Sequence, residues 1–129
     1  MDLPDRRAAS FWVALDEAVV DNGCMWYVKG SHQGGLRPHR PAGVGGGALC
    51  CDGTEDEPGA TPLPLAPGSA AVHAGHTLHY SRGNSTTGRQ RRAYILNFRP
   101  AEMIRLERSR GMNHGLSSNV RTVRNTSAQ

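Results

Sequence analysis

The chain has 129 residues, with 15 Lys and Arg against 11 Asp and Glu, a formal charge of +4, 37% hydrophobic and 5% aromatic residues, 16 Gly and 8 Pro. That length suits one domain, or part of one, and a thin apolar content with so many turn formers argues for short strands and against a helical bundle. Lys29 is the sole lysine and the arginines are scattered apart from Arg89, Arg91 and Arg92, so the basic balance reads as a solvated surface and not as a nucleic-acid face.

Residues 1–20 hold no apolar run of signal-sequence length, and no stretch approaches the about 20 apolar residues of a membrane helix. Cys24, Cys50 and Cys51 form no C-x-x-C pair, so reduced thiols in a soluble, cytoplasmic protein are expected.

"SFWVALDEA" is nearly continuous in apolar residues and predicts a buried strand ending at Asp16. Asp21, Asn22 and Gly23 predict a turn, because Asn and Gly tolerate the positive φ of tight hairpins, and Cys24 to Val28 follow as a second strand. Gly30 to Pro67 is dense in Gly and Pro and reads as long loops around one short strand near Ala48 to Cys51. Ala70 to Ala74 is a short strand. "RRAYILNFRP" is another, with Ala93, Ile95 and Asn97 on one face and Tyr94, Leu96 and Phe98 on the other. Pro100 opens a short helix, "AEMIRLERSR", that Gly111 closes. The tail from Asn113 to Gln129 is polar, aperiodic and expected to be poorly ordered. The pattern is all-β, an antiparallel sandwich or barrel of jelly-roll type with a short C-terminal helix.

Chemistry concentrates in "HAGHTLHYSRGNSTTGRQRRAY", residues 73–94. Gly75 and Gly83 exclude a helix that would gather His73, His76 and His79. On an extended chain His73 and His79 share one parity and His76 the other, so the three cannot converge without a bend. His79, Ser81 and Asn84, followed by Arg91 at the start of the next strand, predict an imidazole and a guanidinium on neighbouring antiparallel strands. Imidazole suits iron and a guanidinium fork suits a carboxylate, the pair that an iron enzyme with a dicarboxylate cosubstrate needs.

Three ordered blocks, "SFWVALDEAVVDNGCMWYVKGSH", "PGSAAVHAGHTLHYSRGN" and "RRAYILNF", resemble the phytanoyl-CoA dioxygenase family of iron(II) and 2-oxoglutarate dependent oxygenases. The resemblance implies a double-stranded β-helix (jelly-roll, cupin-like) core. It also implies iron(II), 2-oxoglutarate and molecular oxygen as cofactor and cosubstrates, a small organic or acyl substrate, and no nucleic-acid or membrane partner. Carried over by position, it makes His79 the distal iron ligand, Arg91 the anchor for the far carboxylate of 2-oxoglutarate, and Ser81 and Trp12 neighbours of that cosubstrate. It assigns no catalytic residue beyond the metal ligand, and His32 is a motif residue without an iron role. Arg89 and Arg92 remain substitutes for Arg91, although alternation sets Arg91 and Ala93 on one face and Arg92 on the other.

The family's H-x-D ligand pair precedes the block containing Trp12, yet none of the six histidines here has Asp or Glu two places on, and none precedes His32. Lys29 and Ser69 also stand where the family usually has Pro and Asp. The expectation is therefore an N-terminally truncated member, residues 1–99 being the C-terminal part of an incomplete jelly roll and residues 100–129 a helix and tail. The alternatives are a complete domain recruiting Asp2, Asp5 or Asp16, a jelly-roll metal enzyme that does not use 2-oxoglutarate, and a catalytically inactive binding module.

Overall fold

The computed structural model describes residues 7–42, 49–53 and 57–111. They fall in two compact units, Met1–Arg37 with Gly53–Pro100 and Pro38–Asp52 with Ala101–Gln129.

The first unit contains two three-stranded antiparallel sheets. Chain order gives β1 (Ala9–Ala14), β2 (Met25–Val28), β3 (His39–Pro41), β4 (Leu49–Cys51), β5 (Ala60–Leu63), β6 (Ala70–Ala74), β7 (His79–Ser81) and β8 (Ala93–Phe98). One sheet has the order β6-β1-β8 and the other β5-β2-β7. In the first, Trp12 lies opposite Ala71 and Ile95; in the second, Tyr27 lies opposite Thr61 and His79.

Alternation along β1 sends Trp12 and Ala14 inward and leaves Phe11 to meet Phe98 edge-on, ring centroids 5.4 Å apart. The buried cluster joins both sheets: Trp12, Ala14 and Ala71 from one, Met25 from the other, with Ala18 and Cys24 between strands. Most of these side chains are small and Trp12 is the largest of them, so its removal should cost about 3 to 5 kcal/mol.

Several expectations need correction. The Asp21–Gly23 turn is present, but β1 and β2 lie in different sheets, so the segment is a crossover and not a hairpin. Asn22 keeps negative φ and serves by hydrogen bonding instead. It is almost fully buried, accepts the Val19 amide at 2.7 Å and donates to the Glu17 carbonyl at 2.8 Å. Gly23 carries the positive φ of +94°, and a Cβ there would come within 2.6 Å of the Gly83 carbonyl oxygen. The expected loops of Gly30 to Pro67 also hold β5, an edge strand in which Pro62 is tolerated because it need not donate on the open side.

The second unit contains the β3–β4 ribbon, with His39 opposite Cys51, and helix α1 (Ala101–Ser109). Thus the strand expected near Ala48 to Cys51 is β4, and its partner β3 was not foreseen. Pro100 precedes the helix and Gly111, at φ +84°, follows it. Glu102 in the first turn and Arg108 in the last complement the helix dipole. All three cysteines are free thiols. The tail expectation for Asn113 to Gln129 lies outside the described residues. The fold is all-β with one short C-terminal helix. Among the described residues no helix is long and apolar enough to cross a membrane.

Candidate active site

His79 opens β7, and its Nδ1 lies 2.8 Å from the Thr77 carbonyl oxygen. A carbonyl can only accept, so Nδ1 is the donor, and Nε2 is the ring nitrogen left to face a metal. The ring stands 4.6 Å from that of His73, and Tyr27 packs against both, at 5.1 Å from His73 and 6.1 Å from His79. Burial first, and the neighbouring His79 second, lower the His73 pKa from 6.5 to about 4, so His73 is neutral at pH 7. Burial likewise pushes the Tyr27 phenol above its usual range. His76 sits in the turn between β6 and β7 and is not part of this ring cluster. The chain is not extended between them: the turn after β6 carries His79 onto the other sheet, so the rings of His73 and His79 meet across the sheets through that turn and not through strand parity.

Ser81, two residues after His79, shares its face of β7. Arg91 Nη2 donates to Ser81 Oγ at 3.2 Å, and its guanidinium carbon lies 5.5 Å from the centroid of the Trp12 ring. Trp12, Ser81 and Arg91 therefore converge between the sheets. Burial raises the nearby Cys24 thiol pKa, and the Leu63 backbone and Arg91 charge oppose that rise.

The other two arginines are engaged elsewhere. Arg92 grips Asp16 through its backbone amide at 2.8 Å, Nε at 2.9 Å and Nη2 at 2.8 Å. Arg89 pairs with Glu17 at 2.7 Å. The side-chain and backbone hydrogen bonds from Arg92 lower the Asp16 pKa from 3.8 to about 2. Committed to Arg92, Asp16 is a poor candidate for the carboxylate ligand considered above; Asp2 and Asp5 lie outside the described residues.

A second correction concerns topology. β7 pairs with β2 and β8 with β1, and Arg91 and Arg92 precede β8, so imidazole and guanidinium are not on neighbouring strands. The connection 82–92 instead crosses from one sheet to the other, and Arg91 reaches back from it to Ser81. Among the described residues no group of three His, Cys, Asp or Glu side chains is placed to hold a metal. His79 thus fits iron as a single ligand. The Arg91 fork, whose buried Nε has no partner, fits a carboxylate.

Two antiparallel sheets holding an imidazole and a guanidinium between them match a class of jelly-roll oxygenase, and comparison with known proteins agrees. The family model described as phytanoyl-CoA dioxygenase (PhyH) matches residues 2–93. Phytanoyl-CoA dioxygenase domain-containing protein 1 of Bos taurus is 32% identical over 103 residues, covering 76% of this chain and 35% of that protein. Its Caenorhabditis elegans homolog is 33% identical over 102 residues, covering 73% and 35%. Among solved structures, EvdO2 from Micromonospora carbonacea var. aurantiaca is 41% identical with a TM-score of 0.62, covering 72% of this chain and 38% of that one. The same protein complexed with 2-oxoglutarate is 39% identical with a TM-score of 0.60, covering 73% and 40%.

The chain belongs to the phytanoyl-CoA dioxygenase family. Its core is therefore of the family's cupin-like jelly-roll type, and the family's cofactor set is iron(II), 2-oxoglutarate and oxygen. The chain spans about a third of the length of the curated relatives it matches, 35% of the bovine protein.

Proposed function

We propose that this chain forms the part of an iron(II) and 2-oxoglutarate dependent oxygenase that carries the distal histidine and the cosubstrate anchor, and that the enzyme hydroxylates a small organic or acyl molecule. The observation that carries the reading is the Arg91 guanidinium, hydrogen-bonded to Ser81 above Trp12 while Arg89 and Arg92 are held by carboxylates. A two-pronged guanidinium beside a hydroxyl suits the far carboxylate of 2-oxoglutarate.

When bound, iron couples oxygen to the oxidative decarboxylation of 2-oxoglutarate to succinate, with one oxygen atom passing to the substrate. The residues of this chain ligate, orient and exclude water. His79 offers Nε2 because the Thr77 carbonyl fixes its other nitrogen, the second contact that ligating histidines generally have. Arg91 and Ser81 hold the carboxylate, and buried Trp12 walls the cosubstrate off from solvent.

The two further ligands are proposed to lie upstream, as an H-x-D pair on strands that complete the sheets. Among the described residues β7 pairs only with β2 and β8 only with β1, and β8 exposes Tyr94, Ile95 and Phe98. Open apolar edges of this kind are normally covered. Residues 1–99 are then the C-terminal part of the jelly-roll domain, and free thiols support a cytoplasmic setting. Calorimetry on the upstream-extended, iron-loaded protein without oxygen tests the anchor. Arg91→Met should weaken 2-oxoglutarate at least about tenfold while Arg92→Met leaves it unchanged; the reverse order would overturn the assignment.

A further inference from the structure

Arg91 is lightly held through its own side chain. Among the described residues its guanidinium makes one hydrogen bond, from Nη2 to Ser81 at 3.2 Å, and its Nε has no partner. A long side chain with many rotamers is not fixed by one such contact, so its main chain must set where the fork points. That main chain is fastened on both flanks. After Arg91, the Arg92 amide donates to Asp16 Oδ2 at 2.8 Å, and the Arg92 carbonyl accepts from the Leu15 amide at 3.0 Å. Before it, the Gln90 carbonyl oxygen lies 3.5 Å from Asn22 Nδ2, a longer contact. The same Asp16 carboxylate takes Arg92 Nε at 2.9 Å and Nη2 at 2.8 Å, so it holds residue 92 by main chain and side chain together. Asp16 follows the end of β1 by two residues, and β1 carries Trp12, the ring nearest the Arg91 guanidinium. Clamp and ring therefore belong to one short segment.

We infer that Asp16 is a positioning residue: through its bond to the Arg92 amide it fixes the backbone of Arg91 and so aims the guanidinium at Ser81, beside Trp12. The main-chain bond carries the effect, because it constrains the peptide group that joins Arg91 to Arg92. The Arg92 side chain, two-thirds exposed, only steadies the carboxylate. With its oxygens taken by Arg92, Asp16 acts on a bound cosubstrate only through Arg91, and a small displacement of a positioning backbone is enough to weaken binding. That the guanidinium serves 2-oxoglutarate rests on the oxygenase reading; that Asp16 aims it does not.

Two measurements test the inference. In the 129-residue chain, the Trp12 ring displaces the NMR signals of the Arg91 δ-methylene and Nε–H, and the Phe11 and Phe98 signals report that the fold persists. Asp16→Ala should move the Arg91 signals toward those of an unstructured arginine. Asp16→Asn, which keeps an acceptor oxygen for the amide, and Arg92→Met, which keeps the main-chain bond, should hold them near their wild-type positions. In the upstream-extended, iron-loaded protein without oxygen, Asp16→Ala should weaken 2-oxoglutarate about fivefold, as for one lost hydrogen bond, and Asp16→Asn should restore most of it. Added to Arg91→Met, Asp16→Ala should cost no further affinity, whereas a merely structural role would be independent of Arg91. Unmoved Arg91 signals in Asp16→Ala, an Asp16→Asn variant as impaired as Asp16→Ala, or a loss that adds in full to that of Arg91→Met would each overturn it. If the Arg91 signals behave as expected while the extended wild type fails to bind 2-oxoglutarate, the oxygenase reading falls and the role of Asp16 in aiming Arg91 stands.

Discussion

Arg89, Arg91 and Arg92 lie within four residues of one another, and their surroundings divide their work. Glu17 and Asp16 hold the outer two, and Arg91 alone turns toward Ser81. Alternation in the sequence separated Arg91 from Arg92 but could not separate Arg91 from Arg89, because the carboxylates that occupy the others come from residues 16 and 17, far off in the chain. The Asp16 pair also sets a pH dependence. Its carboxyl titrates near 3.8 when free and about 2 when folded, so its stabilisation is complete above about pH 4 and is lost as pH falls through about 2. Thermal melts of the wild type and Asp16→Asn should differ at pH 6 and draw together toward pH 2, and a gap constant across that range would contradict the pairing. Tyr27 and the His73 to His79 contact were missed at the level of role, since nothing in the local sequence reveals that Tyr27 sits in register with His79.

Strands with continuous or alternating apolar patterns, β1, β2, β6 and β8, were legible from their own residues. β3 and β5 were not, because three or four residues that include a proline carry no periodic signal, and only pairing to a partner makes them strands. Partnership between strands was equally hidden. Short connections suggested hairpins, whereas β1 to β2 and β7 to β8 each cross between sheets. The two crossings touch where Gly23 meets Gly83, and this contact supports the segment that leads to Arg91. Gly23→Ala combines a positive φ with a 2.6 Å clash against backbone and should cost on the order of 2 to 3 kcal/mol. Gly83→Ala has the same kind of φ, at +85°, but open space around it, so about 1 kcal/mol is expected. Denaturant melts of the two variants check the ranking, and equal losses would show that the close approach has no energetic role.

At the scale of the whole molecule, family and fold class were legible because three blocks in order carry both the strand pattern and the proposed site residues, Trp12, His79, Ser81 and Arg91. A full ligand set was not, since one imidazole does not make an iron site. The 129-residue chain alone should accordingly bind iron very weakly, and tight stoichiometric binding in a metal titration would contradict this. DNA upstream of the Met1 codon should encode an in-frame H-x-D within a short stretch, and its absence would remove the proposed source of the other ligands. The most direct test measures succinate formed from 2-oxoglutarate by the upstream-extended protein with iron(II) and oxygen, beside its His79→Ala and Arg91→Met variants. The account predicts succinate from the wild type and its near loss in both variants. Substrate turnover without 2-oxoglutarate, or succinate formation indifferent to His79 and Arg91, would contradict it.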